Sequence, residues 1–249
     1  MGDEMSIVFK IIKKVIVGIF SLAIMAVITF LLWRVFSSGD PKSMKVVDAN
    51  EKLYSAYEEK GKSLYMFKQE QRSITSGEDN YGYFSITDYR IIPDANQIQT
   101  VVRYNNSTLR ATAEDYELDE VPSRDADVYD VTILLAVDLT PEDTEDNLGN
   151  DEAGVEFIRC HGKVTLSDKK NMYNYRKMVF DLSDAGVDIS SLMDDGLLLA
   201  VYADFYYAGD INYDEVPYGT LCLYDYKTVN IVTKLENRDI KALENYSEN

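Results

Sequence analysis

The residues that could do chemistry in this chain are few. It has one histidine, His161, and two cysteines, Cys160 and Cys222. A Ser-His-Asp or Cys-His centre must use that histidine. His161 and Cys160 are adjacent in an alternating segment, so on a strand their side chains point to opposite faces and cannot pair. His161 is therefore read as a surface strand residue. No His/Cys spacing fits zinc, and no glycine-rich phosphate loop follows a strand. Cys160 falls with the apolar set of its strand and Cys222 between Leu221 and Leu223, which sets the thiols on opposite faces and opposes a disulfide.

Tyrosine is the stronger signal. Seven fall between residues 202 and 226. Tyr202, Asp204 and Tyr206 share a parity opposite Val201, Ala203 and Phe205, and Tyr224 and Tyr226 oppose Leu221 and Leu223. If the two runs pair as a hairpin, these four tyrosines and Asp204 form one outward patch. Tyrosine offers a large contact area at low entropic cost plus a hydroxyl, which suits protein or carbohydrate recognition.

Oxygen donors recur at alternate positions in Asp210, Asn212 and Asp214, as in loops that hold hard cations. Glu215 stands where an EF-hand has glycine, and Leu221 where it has the bidentate Glu. The acidic loop 142–152 offers Asp143, Glu145, Asn147 and Asp151. Calcium is the one cofactor these loops suggest. Paired carboxylates could serve glycoside hydrolysis, but among so many acids no two are marked by spacing.

The elements that must carry these groups begin with an apolar segment. Nineteen residues from Val15 to Trp33 contain no charge. At about 1.5 Å per residue they span roughly 28 Å, close to the ~30 Å hydrocarbon core of a bilayer. Lys13, Lys14 and Arg34 flank the run, and Trp33 stands where an interfacial aromatic would. The run is long for a cleaved signal and ends without a small-residue cleavage site. Basic residues on its two sides nearly balance. The cluster just before the span favours an N-terminus inside the cytoplasm and the rest outside it.

Residues 46–249 hold 40 of the 43 acids and 19 of the 25 Lys and Arg residues. That balance excludes the usual nucleic-acid binder and keeps the domain off anionic lipid, so lipid is contacted through the apolar helix. The expected organisation is a basic tail over 1–14, a transmembrane helix over 15–36, a linker and juxtamembrane helix over 37–62, a domain over 63–235 and a helical tail over 236–249. Residues 46–60 show mixed three-and-four spacing, with Asp48 as cap and Gly61 as stop.

From about residue 63 the period becomes two, as in Ile98 to Tyr104, Tyr129 to Leu139, Ile158 to Leu166, Met178 to Leu182 and Leu197 to Tyr207. Hairpins are expected for 156–166 with 172–182 and for 197–207 with 219–226. The fold class is mainly β, an antiparallel β-sandwich or open barrel with the N-terminal transmembrane helix and one or two short accessory helices. The function that fits is a non-catalytic binding or accessory module at the membrane surface. A carbohydrate-active enzyme using two carboxylates, or a calcium-stabilised envelope module, is the alternative.

Overall fold

A computed structural model describes residues 2–37, 40–73, 84–138, 154–227 and 231–247. The chain divides into two compact units, Met1–Asp40 and Pro41–Asn249. The first is a single helix, α1 (Gly2–Ser37). Its segment Lys13–Trp33 is long and apolar enough to cross a membrane.

The second unit is built on one antiparallel sheet. Its strands are β1 (Tyr65–Ser73), β2 (Ser85–Ile92), β3 (Gln97–Asn105), β4 (Tyr129–Asp138), β5 (Val155–Lys170), β6 (Tyr173–Asp181), β7 (Leu198–Tyr207), β8 (Gly219–Asp225) and β9 (Ile231–Lys234). They lie in the order β8-β7-β4-β5-β6-β3-β2-β1-β9. Both expected hairpins form, β5 with β6 and β7 with β8. The ladder is unbroken from one edge to the other, so the strands make one curled sheet, a half-barrel, rather than two separate layers. Leu139, the last residue of the run from Tyr129, lies outside the described residues, as does the loop 142–152.

The curl turns on β5, a strand of 16 residues. From Val155 to His161 it pairs with β4, and from Gly162 onward with β6. Gly162 marks the change of partner. A Cβ there would sit 2.5 Å from the Phe180 ring, so only glycine lets the two strands approach. The inward side chains of both halves thereby share one core, with Ile98, Ile133, Phe180, Val201, Phe205 and Leu223 at its centre. Burying each such side chain contributes about 1.5–3 kcal/mol.

Among the described residues four α-helices decorate this unit: α2 (Glu51–Lys60), α3 (Asn106–Asp115), α4 (Ile189–Asp194) and α5 (Asn237–Ser247). Helix α2 starts later than its spacing predicts. Asn50, not Asp48, is the cap, its side chain accepting from the Leu53 amide. Gly61 ends the helix at φ +56°. Residues 46–50 are not helical. They continue a strap that begins near Ser43 and crosses the outer face of β2, β3 and β6.

Side chains of the sheet and of α5 hold the strap by its backbone. Lys177 Nζ donates to the carbonyls of Ser43 and Val46, both at 2.7 Å. Arg90 Nη2 donates to the Lys45 carbonyl at 2.7 Å. The Val47 amide donates to Asp239 Oδ1, and Gln99 bonds both the amide and the carbonyl of Asp48. These partners replace water for a segment, a 3-10 turn over Lys42–Lys45 and then irregular through Asn50, that no neighbouring strand pairs. The strap also explains why Gln97 and Gln99, polar and outward by parity, are buried.

The charges beneath the strap are buried with it. Arg90 bridges Asp88 at 2.9 Å and Asp239 at 3.2 Å, linking β2 to α5. Burial raises the Asp88 carboxyl pKa above its ordinary value, and Arg90 and Lys68 oppose that rise. Burial pushes the Lys177 ammonium down.

Helix α3 is capped by Asn105, which accepts from the amides of Ser107 and Thr108. The Asn105-Asn106 pair, a dipeptide common in turns, here starts a helix. Helix α5 falls within the expected tail and buries Leu243 and Asp239.

Candidate functional site

The outer faces of β5, β4, β7 and β8 carry several of the residues singled out in the sequence, His161, Tyr202, Asp204, Tyr206 and Cys222 among them. Register places His161, Thr132, Asp204 and Thr220 in one cross-strand row. Arg159, Leu134, Tyr202 and Cys222 form the next. Tyr202, Asp204 and Tyr206 do lie opposite Val201, Ala203 and Phe205, as their parity predicts.

The expected open patch needs two corrections. Asp204 and Tyr206 are each only 4% exposed, because other side chains cover them. Tyr224 is on the other face. A bulge between Val201 and Tyr202 in the β7–β8 ladder pairs Tyr224 with Val201, and one extra residue reverses the parity. Tyr224 thus packs against the core, 6.4 Å from the ring of Phe67 on β1. Tyr226 lies beyond the end of β8, 56% exposed, with Lys227 Nζ 5.2 Å from its ring centroid. Tyr202 is half-buried. The five residues do not form one exposed surface.

Tyr206 is covered by a side chain not singled out by spacing. Tyr213, from the connection between β7 and β8, folds back so that its ring lies 5.1 Å from Tyr206 and 4.9 Å from His161. Its hydroxyl donates to Asp130 Oδ2 at 3.0 Å. The Arg159 guanidinium lies 5.1 Å from the Tyr213 centroid and 5.8 Å from that of Tyr206. Such a packing of guanidinium and ring is worth about 0.5–2 kcal/mol. Two clues in the sequence point to it: Arg159, His161 and Lys163 alternate on one face of a strand in an acidic domain, and Tyr213 sits inside the 210–214 segment.

Polar groups are buried here without full satisfaction. Thr132 Oγ1 and Arg159 Nε have no hydrogen-bond partner among the described residues. Asp204 accepts from Thr220 Oγ1 at 2.7 Å. Burial raises the Asp204 carboxyl pKa, and the Thr220 bond and Arg159 oppose that rise. Its cross-strand neighbours are Thr132 and Thr220, so it has no second carboxylate facing it in the row. Burial also raises the phenols of Tyr206 and Tyr213, with Asp204 adding for the first and Asp130 for the second.

The 210–214 segment uses its oxygens internally. Asn212 Oδ1 accepts from the Asp214 amide at 3.1 Å, and its Nδ2 donates to Glu215. Asp210 and Asp214 are exposed. Among the described residues no three His, Cys, Asp or Glu side chains gather closely enough to hold a metal ion. Cys160 is buried in the core, its thiol pushed up to about 11 by burial, while Cys222 Sγ donates to the Tyr224 carbonyl on the outer side; neither is in a disulfide.

Beside His161 runs a groove of about 530 Å³. One wall is the end of the strap and the start of α2, with Asp48, Asn50 and Glu51. The other is the bend of β5 at Gly162, with His161 and Lys163, together with Asp184 after β6. Lys52 crosses one end to Asp181 at 2.6 Å. The volume falls within the roughly 300–1,000 Å³ of small-ligand sites. No family model, curated protein or solved structure matches the chain.

Proposed function

We propose that the chain is a membrane-anchored binding or accessory module, non-catalytic, that works near the membrane surface. Its helix α1 spans the bilayer with the N-terminus in the cytoplasm, and the domain after it lies outside the cytoplasm. Binding is through the outer face of β5, β4 and β7, to a protein or carbohydrate partner. The observation that carries the binding role is the packing of Arg159, Tyr213 and His161 on the outer sheet face, over the buried Tyr206. Rigid aromatic side chains and arginine are the types that concentrate recognition energy. The span Lys13–Trp33 supports the anchor, and the acidic balance of the domain argues against nucleic acid.

The test uses the full chain in intact cells, with a C-terminal tag and a photoreactive residue in place of Tyr202. External protease should remove the tag from the membrane-bound chain. Illumination should give a crosslinked species that is lost in Arg159→Ala. A tag digested only after the plasma membrane is opened overturns the orientation, and crosslinks that ignore Arg159 overturn the binding face.

A further inference from the structure

We infer that a single water molecule is bound beneath the strap, between Asp88 on β2 and Lys177 on β6, and completes the attachment of the strap to the sheet. The inference is independent of what the domain binds.

Three observations meet at this place. The first is a cavity of about 10 Å³, lined by Met44 and Val46 of the strap and by Asp88, Arg90, Gln99 and Lys177 of the sheet. That volume is about what one water needs, and it excludes a larger guest. The second is an orphaned acceptor. Asp88 Oδ2 accepts from Arg90, but Oδ1 is buried and has no hydrogen-bond partner among the described residues. Lys68 Nζ stands 3.9 Å from it, beyond hydrogen-bond reach. The third is a spare donor. An ammonium carries three N–H groups, and Lys177 gives two of them to the carbonyls of Ser43 and Val46.

The ammonium needs an acceptor and the carboxylate needs a donor, and the space admits one group that must be both. An alkali cation cannot accept from Lys177, and it would meet Arg90, Lys68 and Lys177 around Asp88. A halide accepts from Lys177 but has no proton for Asp88. Water does both. Gln99, whose carbonyl oxygen keeps a lone pair beyond the bond from the Asp48 amide, supplies a third polar partner on the lining. Buried waters make about three such bonds. A bridge of this kind is nearly as favourable as a direct hydrogen bond. It joins the carboxylate of β2 to the ammonium that grips the strap.

Oxygen-17 magnetic relaxation dispersion counts the waters that stay bound for longer than a protein takes to tumble. It is applied to the full chain in detergent micelles and to two variants. Val101→Ile adds a methylene to the cavity wall, and Lys177→Met removes the donor. Each variant should hold one long-lived water fewer than the parent, and the double variant no fewer than either. With the water expelled and Asp88 left unpaired, Val101→Ile should lower the urea midpoint. It should also speed exchange of the Val47 and Asp48 amides about tenfold, the scale of one lost hydrogen bond. The count should be the same in sodium chloride and in N-methylglucamine gluconate. An unchanged count in either variant, or a higher urea midpoint for Val101→Ile, overturns the inference in favour of a dry void. A count that follows the salt overturns it in favour of an ion.

Discussion

The ammonium of Lys177 is 2.7 Å from the carbonyl oxygen of Val46, 131 residues earlier in the chain. A charge buried on β6 thus fixes the backbone of the strap. Hydrogen bonds to charged groups contribute about 1.5–3 kcal/mol. Replacing Lys177 by Met keeps the stem and removes the donors to Ser43 and Val46. The variant should lose roughly 2–3 kcal/mol in urea unfolding, and limited proteolysis should cut first within 41–50. Cleavage elsewhere, with the strap intact, would show that the lysine does not hold it.

Arg90 should matter more. It is the shared partner of Asp88 and Asp239, both buried. Arg90→Met takes the cation from Asp239 and leaves Asp88 with Lys68 alone, a broken buried pair that costs about 3–5 kcal/mol. Adding Asp239→Asn to that variant should recover part of the loss. Equal stability of the single and double variants would mean the Asp239 charge is not the source of the cost.

At the bend of β5, Gly162→Ala drives a methyl into the Phe180 ring. Overpacking of this kind costs about 1–3 kcal/mol. Combining it with Phe180→Leu should cost less than the sum of the two single changes, since the leucine yields space. Strict additivity in a double-mutant cycle would place the strain elsewhere.

Asp204 gives a pH test. Burial raises its folded pKa above the unfolded value, so the folded state favours the protonated form. Its contribution is fully present below the ordinary carboxylate pKa and is lost as pH rises through the folded pKa. Asp204→Asn, which keeps an acceptor for Thr220, should melt higher than the parent at pH 7.5. The gain should disappear near pH 3, below the usual aspartate pKa of about 3.9. An equal difference at both pH values would show that charge is not its cause.

The tyrosines separate by burial. Tyr206→Ser removes a ring packed against Tyr213 and Arg159 and should cost on the order of 2 kcal/mol. Tyr226→Ser, at an exposed position, should stay within about 0.5 kcal/mol of the parent. Similar losses at both would contradict the covered position of Tyr206.

How far the sequence reveals this fold depends on whether near neighbours or distant ones decide. The period-two runs place most strands, and the close spacing of 156–166 and 172–182 gives the β5–β6 hairpin, because those signals are local. The strap escapes such inspection. Ala49 and Leu53 keep helical spacing, yet residues 46–50 are held out of the helix by Gln99, Lys177 and Asp239 from three remote elements. Asn105 looks like a turn residue and is a cap, since both roles use the same side-chain oxygen. Tyr224 is misplaced by a single bulged residue. Tyr213 lies in a loop whose path no periodicity encodes, so its cover over Tyr206 and its contact with His161 are visible only once the sheet is formed.

The last strand, β9, pairs with the first, β1, and Asp239 on α5 receives the Val47 amide. During synthesis, then, the strap emerges near the beginning and waits for a partner almost two hundred residues behind it. Until residues 231–247 arrive, the edge of β1 and the charge of Arg90 stay uncovered. Such long-range closure makes folding slow and leaves the nascent domain open to pairing with strangers. A chain stopped short of β9 should be the form that a quality-control protease recognises.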